Sequence, residues 1–123
     1  MNGHKSLKVF QLAYRLAMEI FEISKFFPVE ERYSLTDQIR RSSRSVAANI
    51  AESYRKRQYP NAFVAKLSDS DAECAETQTW LDFSRDCGYI PAETCQRLNT
   101  EYEEVGRMLG GMIANPDKFL PKR

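Results

Sequence analysis

The sequence predicts an all-α protein, an antiparallel up-down-up-down four-helix bundle, on three observations. Apolar residues recur in steps of four and three through separate stretches, the spacing that lines one face of a helix. Between those stretches stand Pro28, Pro60, Gly88, Pro91 and Pro116, residues that stop or start helices. Nowhere do apolar and polar residues alternate over strand length, so strands are not expected. A chain of 123 residues suits one domain with one core. Helices of roughly 20 residues, about 30 Å long at about 1.5 Å per residue, joined by short connections, pack as antiparallel neighbours.

The first helix is expected over 8–27. Its seam is Val9, Ala13, Leu16, Ile20, Ile23 and Phe27, widened by Leu12, Ala17 and Phe21. Pro28 ends it, because proline lacks an amide proton and disfavours helix in the residue before it. After the polar connection VEERYS, Ser34 is placed to cap a second helix over 35–58, with Asp37 as an imperfect capping-box acid. The seam Leu35, Ile39, Ser42, Val46, Asn49 and Ser53 turns small and polar halfway along. Pro60 then suits the first turn of a third helix over 60–87. Phe63, Leu67, Cys74 and Leu81 mark its inner line, with Ala72, Ala75, Trp80 and Phe83 beside them, and Gly88 can take the left-handed cap. A fourth helix over 91–114 follows Leu98, Tyr102, Val105, Leu109 and Met112 until Asn115-Pro116 stops it, leaving a short tail.

Composition excludes several kinds of chemistry. The only histidine, His4, precedes the first helix, so a histidine-ligated metal site in the core is excluded, and no helical serine or cysteine has a histidine base. Gly106, Gly110 and Gly111 fall inside a helix and lack the strand-loop-helix setting of a phosphate cradle. Glu73 and Glu76 sit one turn apart and could hold a cation, but a solvated or salt-bridged face is the favoured reading. No enzyme, metal or cofactor is expected. Cys74, Cys87 and Cys95, an odd number without CxxC spacing, read as reduced thiols of a cytoplasmic protein. No membrane span or signal peptide is expected either.

The net charge is only +1, so any positive field depends on where charges sit. The segment Thr36–Arg57 concentrates them: Arg40, Arg41 and Arg44 near its start, Arg55, Lys56 and Arg57 at its end, with Glu52 the single acid between Arg40 and Arg57. The first set suits either phosphate or acidic groups on helix three or a neighbouring chain. The second suits the helix dipole, or, with Tyr54 and Tyr59, a phosphate contact beside a stacking surface for a single-stranded base. Asn49, on the seam, is expected to bond a facing helix and fix register, in preference to contacting a ligand.

The runs Leu35–Ser43 and Ser45–Glu52, LTDQIRRSS and SVAANIAE, resemble the signature of bacterial four-helix-bundle proteins encoded in intervening sequences of large-subunit ribosomal RNA genes. The resemblance extends through the aromatic-rich start at Leu7–Tyr14, Phe27-Pro28, Glu76-Thr77-Gln78, Gly88-Tyr89-Ile90 and Glu104–Leu109. The chain departs from that pattern at Ala47, where the family usually has proline, and at Ser53, where it has glycine, which implies a straighter second helix here. The resemblance implies a ring-forming homo-oligomer, commonly a pentamer, without catalytic residues. A related accessory protein of diversity-generating retroelements implies binding of RNA or DNA through a basic surface. Two functions therefore stand as expectations: nucleic-acid binding through Arg40, Arg41, Arg44, Arg55, Lys56 and Arg57, or an assembly module whose arginines pair with acids of a neighbouring chain.

Overall fold

The computed structural model describes residues 3–121. Four helices carry the fold: α1 (Lys8–Ser24), α2 (Leu35–Arg55), α3 (Pro60–Asp86) and α4 (Ala92–Ala114), with 3-10 turns at Gly3–Ser6, Val29–Glu31 and Pro116–Lys118 and no strand among the described residues. Helix α1 stops three residues short of Phe27 because the amides of Lys25, Phe26 and Phe27 bond to carbonyls three residues back, tightening the last turn. Phe27 is nevertheless buried. The same tightening at Lys56 ends α2 at Arg55, short of the expected residue 58. Helix α2 runs unbroken through Ala47 and Ser53.

Ser34 does not cap α2 with its side chain. Its hydroxyl donates to Glu31 Oε1 at 2.6 Å, and the same carboxylate oxygen takes the Leu35 amide at 3.4 Å. Glu31 thus supplies the anion at the helix start, and its other oxygen accepts the Tyr89 hydroxyl at 2.8 Å, tying the α1–α2 connection to the α3–α4 turn. That turn is closed as expected by Gly88 at φ 79, a conformation glycine adopts without strain.

Contacts between helices fix their directions. Ser70 Oγ donates to the Val46 carbonyl at 2.7 Å, and the Thr77 and Ser42 hydroxyls are hydrogen-bonded at 2.8 Å, so numbers rise on α3 as they fall on α2. Cys74 Sγ donates to the Tyr102 carbonyl and Cys95 Sγ to the Leu81 carbonyl, which makes α3 and α4 antiparallel. Arg15 pairs with Glu101 and Arg97 with Glu19, so α1 and α4 are antiparallel as well and close the ring of four helices. One core fills the centre, with Leu16, Ile20, Ile39, Ile50, Phe63, Leu67, Leu81, Leu98, Tyr102 and Leu109 fully buried.

Two seams differ from expectation. On α3 the buried line is Phe63, Leu67, Ser70, Cys74, Thr77, Leu81 and Ser84, a strict alternation of four and three, while Ala72, Ala75 and Phe83 are exposed. Hydroxyls can occupy this line because each finds a carbonyl or hydroxyl partner, Ser84 bonding the Trp80 carbonyl of its own helix. On α2, Ile50 takes the buried position assigned to Asn49. Asn49 is half-buried, and its Nδ2 donates to the Ser45 carbonyl one turn back at 2.9 Å. The tie between helices expected of Asn49 is carried instead by Ser42, Ser70 and Thr77.

Candidate nucleic-acid interface

The first basic set borders one groove but divides its contacts between two helices. Positions 40 and 44 are four apart and share a side of α2, whereas position 41 is rotated about 100° from 40. Arg41 accordingly turns to α3, donating Nη1 to Glu73 Oε2 at 3.0 Å and Nη2 to Glu76 Oε1 at 2.5 Å. Glu76 also accepts the Trp80 indole N–H at 3.3 Å. Although burial pushes its carboxyl up, the hydrogen bonds with Arg41, Glu73 and Trp80 and the Arg41 charge together hold it below the usual range. Glu73 and Glu76, the pair considered for a cation, are thus occupied by an arginine of the same chain.

Arg40 and Arg44 turn to α1. Arg40 Nε donates to Ser24 Oγ at 2.7 Å and its guanidinium lies 4.8 Å from the centre of the Phe21 ring. Arg44 lies 5.7 Å from the same ring centre, and Lys25 Nζ 4.8 Å from it. Three cations therefore converge on one half-buried phenyl ring. The ring's negative face stabilises each by about 0.5–1 kcal/mol, but it carries no net charge to cancel their mutual repulsion. Lys25 has a carboxylate partner in Glu22 at 3.1 Å. Neither Arg40 nor Arg44 takes part in any ion pair among the described residues.

An open groove of about 510 Å³ runs along α2, lined by Arg32, Thr36, Asp37, Arg40, Arg41, Arg44 and Ser45. Beyond Arg44 it gives way to an apolar pocket of about 410 Å³ between α1 and α2. Met18, Tyr14, Phe10 and His4 wall the pocket on one side, and Ala47, Ala48 and Ala51 floor it on the other. Arg44 lines both spaces.

The second basic set lies at the far end of α2 and is divided too. Arg57 stacks on Tyr54, 3.6 Å from the ring centre, and donates to the carbonyls of Tyr54 and Phe119, pinning the chain after α4 against α2. Tyr54 is thereby covered, while Arg55, Lys56 and Tyr59 remain exposed. Arg32 lines the groove and Lys25 shares the Phe21 ring with Arg40 and Arg44, and neither was among the residues expected there. Phe21 was expected only to bury, and the i, i+4 pairs Phe21–Lys25 and Arg40–Arg44 are the signal that relates them. Among the described residues no group of three His, Cys, Asp or Glu side chains is arranged to hold a metal, and no helix is long and apolar enough to cross a membrane.

Among solved structures the chain is similar to a protein of unknown function from the S23 ribosomal protein family of Bacteroides thetaiotaomicron VPI-5482. The TM-score is 0.79 at 29% identity, covering 87% of this chain and 96% of that one. No curated protein matches. The model of the 23S rRNA-intervening sequence proteins matches residues 5–111, from before α1 to the last turn of α4. With its four-helix architecture and that near-complete match, the chain belongs to the 23S rRNA-intervening sequence protein family.

Proposed function

We propose that this is a non-enzymatic, cytoplasmic, homo-oligomeric bundle that binds RNA or other nucleic acid through the basic groove along α2. The observation that carries the reading is the convergence of Lys25, Arg40 and Arg44 on Phe21, with neither arginine neutralised by a carboxylate. Like charges held this close are destabilising unless an anion comes between them, and a phosphate backbone supplies anions at regular intervals. Arg40 is preorganised by Ser24, so little side-chain freedom is lost when a phosphate arrives. In a ring, pentameric as the family resemblance implies, each subunit would add one such groove, and several weak phosphate contacts would act together. The groove by itself serves only a few phosphates, which agrees with the near-neutral net charge of +1.

The alternative, an assembly module whose arginines pair with acids of a neighbouring chain, gains no support from Arg41, whose guanidinium is already taken by Glu73 and Glu76 of its own α3. A salt series of binding to a fluorescent RNA separates the residues. Replacing Arg40 and Arg44 together by alanine is expected to weaken binding at least tenfold and to flatten the dependence on salt by about two phosphate contacts. Arg41→Ala is expected to change binding less than threefold. Affinity absent at low salt, or unaltered by the Arg40 and Arg44 changes, rejects the groove as the binding surface.

A further inference from the structure

The cationic groove and the apolar pocket meet at Arg44, and a nucleotide has the same division into an anionic and a flat apolar part. We infer that the interface selects single strands by seating an unpaired base in the pocket between α1 and α2 while its phosphate lies between Arg40 and Arg44. This rests on the groove reading above and adds to it the form of the nucleic acid.

The pocket is built for a flat ring. His4 and Phe10 meet edge to face with centres 4.8 Å apart, and Phe10 and Tyr14 follow at 6.0 Å, so an aromatic wall lines the α1 side. Tyr14 is 57% exposed and Met18 47%, unusual for large apolar side chains so close to a core, and both border the opening. Across from them α2 presents the methyl groups of Ala47, Ala48 and Ala51, with Arg44 at the rim. Larger residues there would fill the space; alanines leave about 410 Å³, within the range of pockets that hold small ligands, roughly 300–1,000 Å³. A base in a duplex is stacked and paired and cannot enter, whereas an unpaired base exchanges stacking on its neighbours for stacking on the protein. Charge complementarity argues for this occupant, because the Arg44 guanidinium at the pocket's rim has no carboxylate partner among the described residues and a nucleotide joins an anionic phosphate to a flat base. A second copy of the chain, which could offer a carboxylate instead, is an outcome of the test.

The test compares fluorescence anisotropy of labelled RNA 20-mers: single-stranded, duplex, and single-stranded with abasic sites that keep the phosphates but lack bases. The wild-type chain is expected to bind the single strand at least tenfold more tightly than the other two. Ala48→Leu, which fills the pocket from an exposed helix position, is expected to lower single-strand affinity about tenfold and leave duplex affinity unchanged. Arg44→Ala should weaken all three probes. Helical content by circular dichroism verifies that each variant is folded. Equal affinity for the three probes, or an Ala48→Leu change of the same size for single strand and duplex, overturns the base pocket while leaving the phosphate groove standing. Absence of binding to every probe overturns both. If Ala48→Leu alters only the oligomeric state in sedimentation, a second copy of the chain covers the pocket, and the inference is wrong.

Discussion

Single atoms decide several properties of this bundle, and Tyr102 is the plainest case. Its hydroxyl is fully buried, and it is the one such side-chain polar atom without a hydrogen-bond partner among the described residues. An unmet buried hydroxyl costs about 1–3 kcal/mol. Tyr102→Phe should therefore raise the urea midpoint, stabilising the fold by about 1 kcal/mol with an unchanged slope. Ser70→Ala should do the reverse, losing about 1 kcal/mol with the bond to the Val46 carbonyl. Glu31 is one of the carboxylates that contribute to acid sensitivity. Its carboxyl is held below its ordinary value of 4.5, first by the Ser34 hydroxyl and then by Tyr89. A depressed carboxylate contributes stability that is present above pH 4.5 and is lost as pH falls through the folded value. Tyr89, pushed up to about 12 by donating to Glu31, contributes stability that is complete below its ordinary 10 and vanishes as pH rises through about 12. Glu31→Gln should flatten thermal stability against pH in both windows; an unchanged profile rejects the assignment. None of this was legible in the sequence, where Ser34 and Asp37 fitted a capping pattern better than Glu31 did. A carboxylate three residues before a cap is found by backbone geometry, not by spacing.

Among the elements, α2 joins two surfaces with different work. One side faces α3 through hydroxyls and the Arg41 clamp; the other faces α1 through small residues and the Phe21 cluster. Arg41 is 47% exposed and its partners Glu73 and Glu76 are 20% and 33% exposed, so solvent reaches the pair, Arg41→Ala should cost less than about 1 kcal/mol, and the loss should shrink further in high salt. Denaturation at two ionic strengths checks this. Existence, type and order of all four helices were legible, because proline, glycine and the four-three spacing act locally. The seams were legible where they are apolar, as in α1 and α4, and misplaced where they are polar. A serine or threonine on a seam can be buried or exposed at equal local cost, and its partner on another helix decides which. Asn49 was chosen for the same reason and lost the buried place to Ile50, the more apolar neighbour. Likewise, the sequence grouped Arg40, Arg41 and Arg44 as adjacent turns, and only the packing of α1 and α3 on either side of α2 separates them.

Across the whole molecule packing is uneven. The α2–α3 pair has the most extensive contact and α1–α4 the least, the latter edged by exposed ion pairs between Arg15 and Glu101 and between Arg97 and Glu19. Amide hydrogen exchange should therefore reach α1 before the centres of α2 and α3, and added salt should widen the difference. The fold as a bundle was readable from periodicity, and the arginines of the candidate interface were legible too, but its apolar pocket was not, since that combines α1, α2 and the turn before α1. The hydroxyl seam of α3 has one more consequence. Ser70, Thr77 and Ser84 are spaced by sevens, so sliding α3 along α2 by two turns would offer a hydroxyl at the same levels again. Hydrogen bonding alone is nearly blind to that slip. Size is not: the small Cys74 lies against α4 at the level of Tyr102, and a slip would bring Leu67 or Leu81 there instead. A cysteine that forms no disulfide thus works as a vernier mark, setting where along its length one helix stops against another.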